Sequence, residues 1–333
     1  MKAALHTKYN KTDIALEIRE IATPELAPNQ VRVRVKTAGV NPLDNMITRG
    51  QVKMIVPYKM PQVAGNELVG VIEAVGADVK GFQIGDRVFA RLPLDQIGAF
   101  AEEVAVDQDA LAKVPEYLSD VEAAAIPLTA LTVMQALELM DVKPGKTIFI
   151  SGGTGGLGGM AIPIAKAKGL TVITNGNGSG EERVKALGAD QFIDYKKEDY
   201  ANVVSDVDYV IDTLGRQETE KQMKILKKGG KIVSLIAMPN GDFARRMNLP
   251  KWKQIILSLA GRKFDKMAEK NGVKYYFIFV KSNGAQLQEA ANILDEIKLK
   301  PSIDQVFAFE NVNDALEKIS RGGSRGKTVL EFK

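Results

Sequence analysis

Residues 147–168, TIFISGGTGGLGGMAIPIAKAK, constrain the fold more than any other stretch of this chain. Thr147–Ser151 is a short apolar run that reads as a buried strand, and the glycines follow at once. Ala161–Lys168 then carries mostly helix-forming residues. Within the turn, Gly153, Gly155 and Gly158 fit G-x-G-x-x-G. The first glycine of that pattern allows a tight strand-to-helix turn. The second lets the backbone approach a pyrophosphate, and the third lets the helix pack on its strand, with the diphosphate on the helix's free N–H groups. The competing phosphate cradle, a P-loop, fails on spacing. Gly145-Lys146-Thr147 has Met140 in place of the leading glycine, and Gly326-Lys327-Thr328 has Arg321 there.

The flanks strengthen the reading. Leu170–Thr174, Gln191–Asp194, Tyr209–Asp212, Lys231–Ala237 and Tyr275–Val280 are strand candidates, and with the glycine strand they make six. Helical stretches such as Glu181–Leu187 and Glu218–Lys228 lie between most of them. Regular alternation of this kind predicts a parallel sheet covered on both faces. Pro163 falls within the first turns of the glycine helix, where it removes one backbone hydrogen bond.

The first 122 residues have a different character. Val31–Val35 alternates with period two, and GVIEAVG, GDRVFA and FAEEVAV are short runs bounded by Gly and Asp. Their spacing suggests an antiparallel barrel or sandwich. Asn41-Pro42 and Val56-Pro57 mark a loop region between about 39 and 66. From Ser119, a capping box with Glu122 precedes one or two helices that lead into the glycine strand. After the helix Ala285–Ile297, Val306–Phe309 and Thr328–Phe332 read as strands again. The expected domains are therefore 1–122 with 298–333 returning to it, and 123–297.

Composition narrows the function. A net charge of +4 over 333 residues argues against a dedicated nucleic-acid or membrane binder. The absence of cysteine removes disulfides and thiolate chemistry. The chain starts straight into an apolar segment without the pattern of a signal peptide, so a cytoplasmic location is expected.

The ordered set GVNPLD (39–44), GNELVGVIEAVG, GDRVFA, LTALTVMQAL, the glycine turn, LGAD (187–190) and GKTVLEF resembles the medium-chain dehydrogenase/reductases over nearly the full length. It is most similar to their zinc-independent quinone oxidoreductases and enone or alkenal reductases. That resemblance implies a GroES-like β-barrel catalytic domain, a six-stranded doubly wound Rossmann domain, and an active site in the cleft between them. It also implies a homodimer formed through the dinucleotide domain. Zinc-dependent relatives place a cysteine in the loop reading Gly39-Val40-Asn41 here, and a histidine at the position of Asn66. Asp44 and Glu67 alone make a poor zinc site, and the only histidine, His6, reads as a satisfied strand residue.

The chemistry then expected is hydride transfer from NADPH to a quinone or to the C=C bond of an enone, with a hydrogen-bond donor at the carbonyl oxygen. By resemblance, the loop Asn41–Asp44 borders nicotinamide and substrate. Asn41 offers an amide donor or shapes the turn before Pro42; Tyr58 offers a phenol or fills the loop; Asp44 orders the loop. Plant-type enone reductases often carry a lysine where Met46 stands here. For the cofactor, the resemblance carries Thr132 to the nicotinamide, and Gly155, Gly156 and Leu157, after Thr154, to the diphosphate. Leu214 and the segment Phe277–Val280, including Phe279, line the nicotinamide side, through backbone amides in the latter case. The segment Asn175–Ser179 has no acid where NAD-preferring sites place one, which favours NADPH. Arg183 either meets the 2′-phosphate or is an exposed helix charge, and Tyr195 stands where relatives contact the adenosine phosphate. A nucleotide-binding redox sensor or structural protein without turnover is the alternative reading.

Overall fold

The structure, a computed structural model, describes residues 1–12, 15–323 and 326–333. In chain order the strands and helices begin with β1 (Lys2–His6), β2 (Glu17–Glu20), β3 (Gln30–Val40), α1 (Pro42–Thr48), β4 (Gln62–Val63), β5 (Glu67–Val75), β6 (Arg87–Arg91), β7 (Glu103–Asp107) and β8 (Leu111–Lys113). There follow α2 (Asp120–Ala123), α3 (Pro127–Leu139), β9 (Thr147–Ile150), α4 (Gly156–Ala167), β10 (Thr171–Gly176), α5 (Glu181–Ala186), β11 (Gln191–Asp194), β12 (Val207–Asp212), α6 (Arg216–Lys224) and β13 (Leu226–Ser234). The chain ends with α7 (Gly241–Arg246), α8 (Lys251–Asn271), β14 (Lys274–Phe277), α9 (Gly284–Glu296), β15 (Ile303–Ala308), α10 (Val312–Arg321) and β16 (Lys327–Glu331).

Two compact units result, Met1–Leu131 with Lys281–Lys333, and Thr132–Val280. These divisions differ from 122/123 and 297/298. α2 stays with the first unit because Thr37 Oγ1, on β3, donates to the Asp120 carbonyl at 2.8 Å. α9 stays with it because the Lys113 N–H donates to Gln288 Oε1 at 2.9 Å, and Gly284 lies so close to β8 that a Cβ would meet the Leu111 carbonyl at 2.2 Å. Ser119 and Glu122 form the expected capping box on α2.

In the first unit a seven-stranded sheet runs β15-β16-β3-β5-β6-β8, with β7 also on β3, and a three-stranded sheet runs β2-β1-β4. β3 buries Val31, Val33 and Val35 and turns Arg34 to solvent, as its alternation requires. The presumed loop 39–66 contains α1, which Asn41 caps and Pro42 opens.

The second unit is a parallel sheet in the order β11-β10-β9-β12-β13-β14, the doubly wound arrangement. The order of strand addition reverses between β9 and β12, so the turn after β9 lies at the switch point. β13 starts at Leu226, not Lys231, and accommodates Gly229 at φ 81° through a register shift against β12. β14 ends at Phe277, which leaves Phe279 in the loop beyond. α4 continues through Pro163 to Ala167. The 21-residue α8 turns Trp252, Ile255, Ile256 and Leu259 to solvent and buries Leu257, Gly261 and Ala268.

Candidate active site and dinucleotide cradle

In the first unit four strand ends meet. Asn41 follows β3, Glu67 opens β5, Arg91 closes β6 and Lys327 opens β16. Antiparallel register sets Thr328 opposite Val40, and Glu67 opposite Arg91. Gly39 makes room for this convergence, since a Cβ there would lie 2.3 Å from Glu67 Oε1 and 2.6 Å from the Ala124 carbonyl. The Asn41 amide donates to Glu67 Oε1 at 2.8 Å and to the Gly39 carbonyl at 3.3 Å. Lys327 Nζ donates to Asn41 Oδ1 at 2.6 Å and pairs with Glu67 Oε1. The other Glu67 oxygen accepts the Leu128 N–H at 2.7 Å. Both amide protons of Asn41 are thus committed within the protein, and none is left for a carbonyl substrate. This corrects its reading as a substrate donor: Asn41 shapes the loop.

Asp44 is 1% exposed and accepts the Asn41 backbone N–H and Asn66 Nδ2, each at 2.7 Å. Burial raises its carboxyl pKa to about 6 despite those two hydrogen bonds. Tyr58 is buried, with its phenolic oxygen unpartnered among the described residues and pushed up to about 12 by desolvation. Its backbone is braced on both sides by the hydroxyl of Tyr9, at 2.9 and 3.0 Å. His6 is only half satisfied: Nδ1 meets Thr48 Oγ1 at 3.1 Å, Nε2 has no partner among the described residues, and burial lowers its pKa to about 4. Sequence reasoning missed Arg91 and Lys327. The available signal for Arg91 was a charge in the apolar run VFARL.

In the second unit the tight turn is made by Gly152, at φ 73°, and not by Gly153. Gly153 is needed for close approach to β10, since a Cβ would meet Thr174 Oγ1 at 2.1 Å. Gly158 packs on Gly153, with a Cβ position 2.4 Å from its Cα, so the third glycine does what the pattern demands. Asn175 holds the turn, accepting the Gly152 N–H on its side chain at 2.9 Å and the Gly153 N–H on its carbonyl at 2.8 Å. Asn175 thus braces the turn. α4 starts after Gly155 with no side-chain cap, and a Cβ on Gly156 would meet nothing within 4 Å. An open helix N-terminus of this kind fits a diphosphate. Arg183 reaches back to the turn, donating from Nη2 to the Thr154 carbonyl at 2.5 Å.

The remaining residues are placed more loosely. Ser179 is exposed and bonds Asn177 Oδ1 through its N–H at 3.2 Å. The Tyr195 ring is exposed, with its N–H on the Gly176 carbonyl at 3.2 Å. Leu157 is half-buried at the start of α4, and Thr132 is buried on α3. Leu214 is exposed in the loop that Asp212 fixes by accepting the Leu214 and Gly215 N–H groups at 3.0 and 2.9 Å. Phe277 is core, edge-on to Phe243 at 5.0 Å, and Phe279 is half-buried.

Residues 27–116 match the alcohol dehydrogenase GroES-like domain, and residues 187–330 match the zinc-binding dehydrogenase family. The 2-methylene-furan-3-one reductase of Solanum lycopersicum is 32% identical over 99% of this chain and 79% of its own length. The chain belongs to the medium-chain dehydrogenase/reductase superfamily. Within the superfamily, the NADPH-dependent alkenal/one oxidoreductase of Arabidopsis thaliana is 29% identical over 99% of this chain and 79% of its own. The solved quinone oxidoreductase from Coxiella burnetii superposes with a TM-score of 0.83 at 29% identity, covering 100% of this chain and 99% of that one. These relatives place the chain in the superfamily branch of quinone oxidoreductases and enone reductases.

Proposed function

We propose that this protein is an NADPH-dependent reductase of quinones and of the C=C bond of α,β-unsaturated ketones and aldehydes, working without zinc. The relatives named above support the substrate class and the cofactor. The observation that carries the rest is the rebuilt metal position. Where zinc enzymes need thiolate and imidazole, this chain has Asn41 and Asn66, and the Lys327 ammonium stands against Asn41 and Glu67. A divalent cation in that place would face an ammonium and an amide already bonded, a donor set that does not fit zinc.

Bound NADPH supplies the hydride. The uncapped start of α4 and the bare Gly156 would hold the diphosphate, and Arg183 would supply the charge for a 2′-phosphate. Asn175 and Gly152 keep the turn in shape. The Tyr58 hydroxyl, protonated at neutral pH, donates to the substrate oxygen. Asn41 and Asp44 fix the loop that carries α1, and water provides the proton for the α-carbon. A homodimer is part of this reading: Trp252, Ile255, Ile256 and Leu259 form an exposed apolar stripe on α8 that a second copy would cover. Sedimentation at micromolar concentration tests the dimer.

The function is tested by following NADPH oxidation against a panel of quinones and enones, with product analysis. A saturated ketone is expected from an unsaturated one. An allylic alcohol as main product overturns the reading, and NADPH binding without turnover on any member of the panel would favour a nucleotide-binding protein without catalysis. Dialysis against a strong chelator should leave activity and Tm unchanged.

A further inference from the structure

Arg91 is 0% exposed at the end of β6. Its register partner Glu67 is committed to Lys327, Asn41 and the Leu128 N–H, so it offers Arg91 no hydrogen bond. The guanidinium donates from Nη1 to the Leu92 carbonyl, and its Nε and Nη2 have no partner among the described residues. Among the described residues two more buried polar atoms are unpartnered, Tyr58 Oη and Asn66 Oδ1. Leu92, next to Arg91, donates its N–H to the Asn66 carbonyl at 2.8 Å, which fixes the two segments side by side. Tyr58, Glu67 and Asp44 all lie near enough to act on the Arg91 charge. Burial lowers its pKa only to about 10, so it remains a cation at neutral pH. A buried guanidinium with unused donors is unfavourable in the free protein; an apolar side chain of similar volume would pack there at less cost. Such an arrangement is relieved by an oxygen that carries negative charge.

We propose that Arg91 and Tyr58 together bind the substrate's carbonyl oxygen and stabilise it as it becomes anionic. The proposal rests on the reductase reading above and deepens it. Hydride adds to the β-carbon, the C=C pair shifts toward the carbonyl carbon, and the carbonyl π pair moves onto oxygen to give an enolate. Arg91 and Tyr58 donate hydrogen bonds to that oxygen and neither loses its proton. Water then protonates the α-carbon and the carbonyl re-forms. With a quinone the same two-electron transfer leaves a phenolate-type oxygen in the same place, and water protonates it. The favoured substrates are carbonyl compounds whose oxygen gains a full charge in the reaction. Hydrogen bonds that strengthen as the charge develops accelerate the step, whereas equal binding of ground and transition states does not.

The probe is p-nitrophenol, whose phenolate absorbs distinctly and mimics the reduced oxygen. Wild-type protein should bind the phenolate in preference to the phenol and lower the apparent pKa of the bound dye. Arg91→Leu should weaken phenolate binding roughly ten- to a hundredfold. It should lower kcat more than it raises KM, leave the NADPH Kd unchanged, and keep or raise Tm. Tyr58→Phe should weaken the phenolate by about three- to tenfold, as loss of one neutral hydroxyl donor does. The proposal is overturned if either folded variant binds phenolate like wild type, if wild type binds phenol as tightly as phenolate, or if Arg91→Leu fails to fold. Phenolate binding that depends on Arg91, in a protein that reduces no quinone or enone, would uphold the oxygen site and overturn the reductase reading.

Discussion

Lys327 and Glu67, 260 residues apart, form an ion pair in which the carboxylate is fully buried and the lysine side chain is 10% exposed. It ties the last strand to the loop after β3, through Asn41. Removing the ammonium leaves a buried carboxylate without its charge partner. Lys327→Met should therefore lower unfolding stability by about 3–5 kcal/mol, and adding Glu67→Gln should recover much of the loss. Urea titration of the single and double variants measures this. A loss below about 1 kcal/mol would mean that the pair behaves like an exposed one.

His6 and Asp44 respond to pH in opposite directions. Burial depresses His6 from 6.5 to about 4, so the folded state binds fewer protons than the unfolded state in that interval; the contribution is present above 6.5 and is lost as pH falls. Burial raises Asp44 from 3.8 to about 6, so the folded state binds more protons, and stability is lost as pH rises through that interval. Each effect amounts to about 3 kcal/mol across its window, and where the windows overlap they largely cancel. Relative to wild type, Asp44→Asn should make stability rise more steeply between pH 4 and 6, and His6→Gln should make it fall. Parallel Tm–pH profiles for all three proteins would contradict both assignments.

Two glycines of the turn should separate stability from binding. A methyl on Gly158 would lie 2.4 Å from the Gly153 Cα, so Gly158→Ala should lower Tm and abolish tight NADPH binding together. Gly156 has nothing within 4 Å of a Cβ, so Gly156→Ala should hold or raise Tm. It should still weaken NADPH if the diphosphate rests on that backbone. Thermal melts with and without NADPH distinguish the two.

Arg183 donates to the Thr154 carbonyl from a helix that begins at Glu181, which brings its charge to the turn. One charge-assisted phosphate contact contributes roughly 1.5–3 kcal/mol, about ten- to a hundredfold in affinity. Arg183→Ala should raise the NADPH Kd by that factor and leave the NADH Kd nearly unchanged. Equal losses for both cofactors would rule out a 2′-phosphate contact, and a wild type that prefers NADH would overturn the cofactor assignment.

The doubly wound sheet was legible because its signals are local. Apolar runs of four to six residues, the glycine spacing and the capping box at Ser119 and Glu122 each act within a few residues of chain, and steric limits on the backbone leave them few outcomes. Asp44 and Tyr58 could be singled out together because one stretch between β3 and β5 carries both. Which of the two readings of Asn41 holds was not legible, since its amide is consumed by Glu67 and Lys327, and that depends on β3, β5 and β16 being aligned in register. α9 joined the first unit for the same kind of reason: its affiliation is set by contact with β8, about 175 residues earlier. Arg91 illustrates the division most directly. Its identity and its apolar neighbours are written in the sequence. Only the tertiary structure decides that its natural partner is already taken, because desolvation and competition for one carboxylate are properties of the assembled neighbourhood and of no single segment.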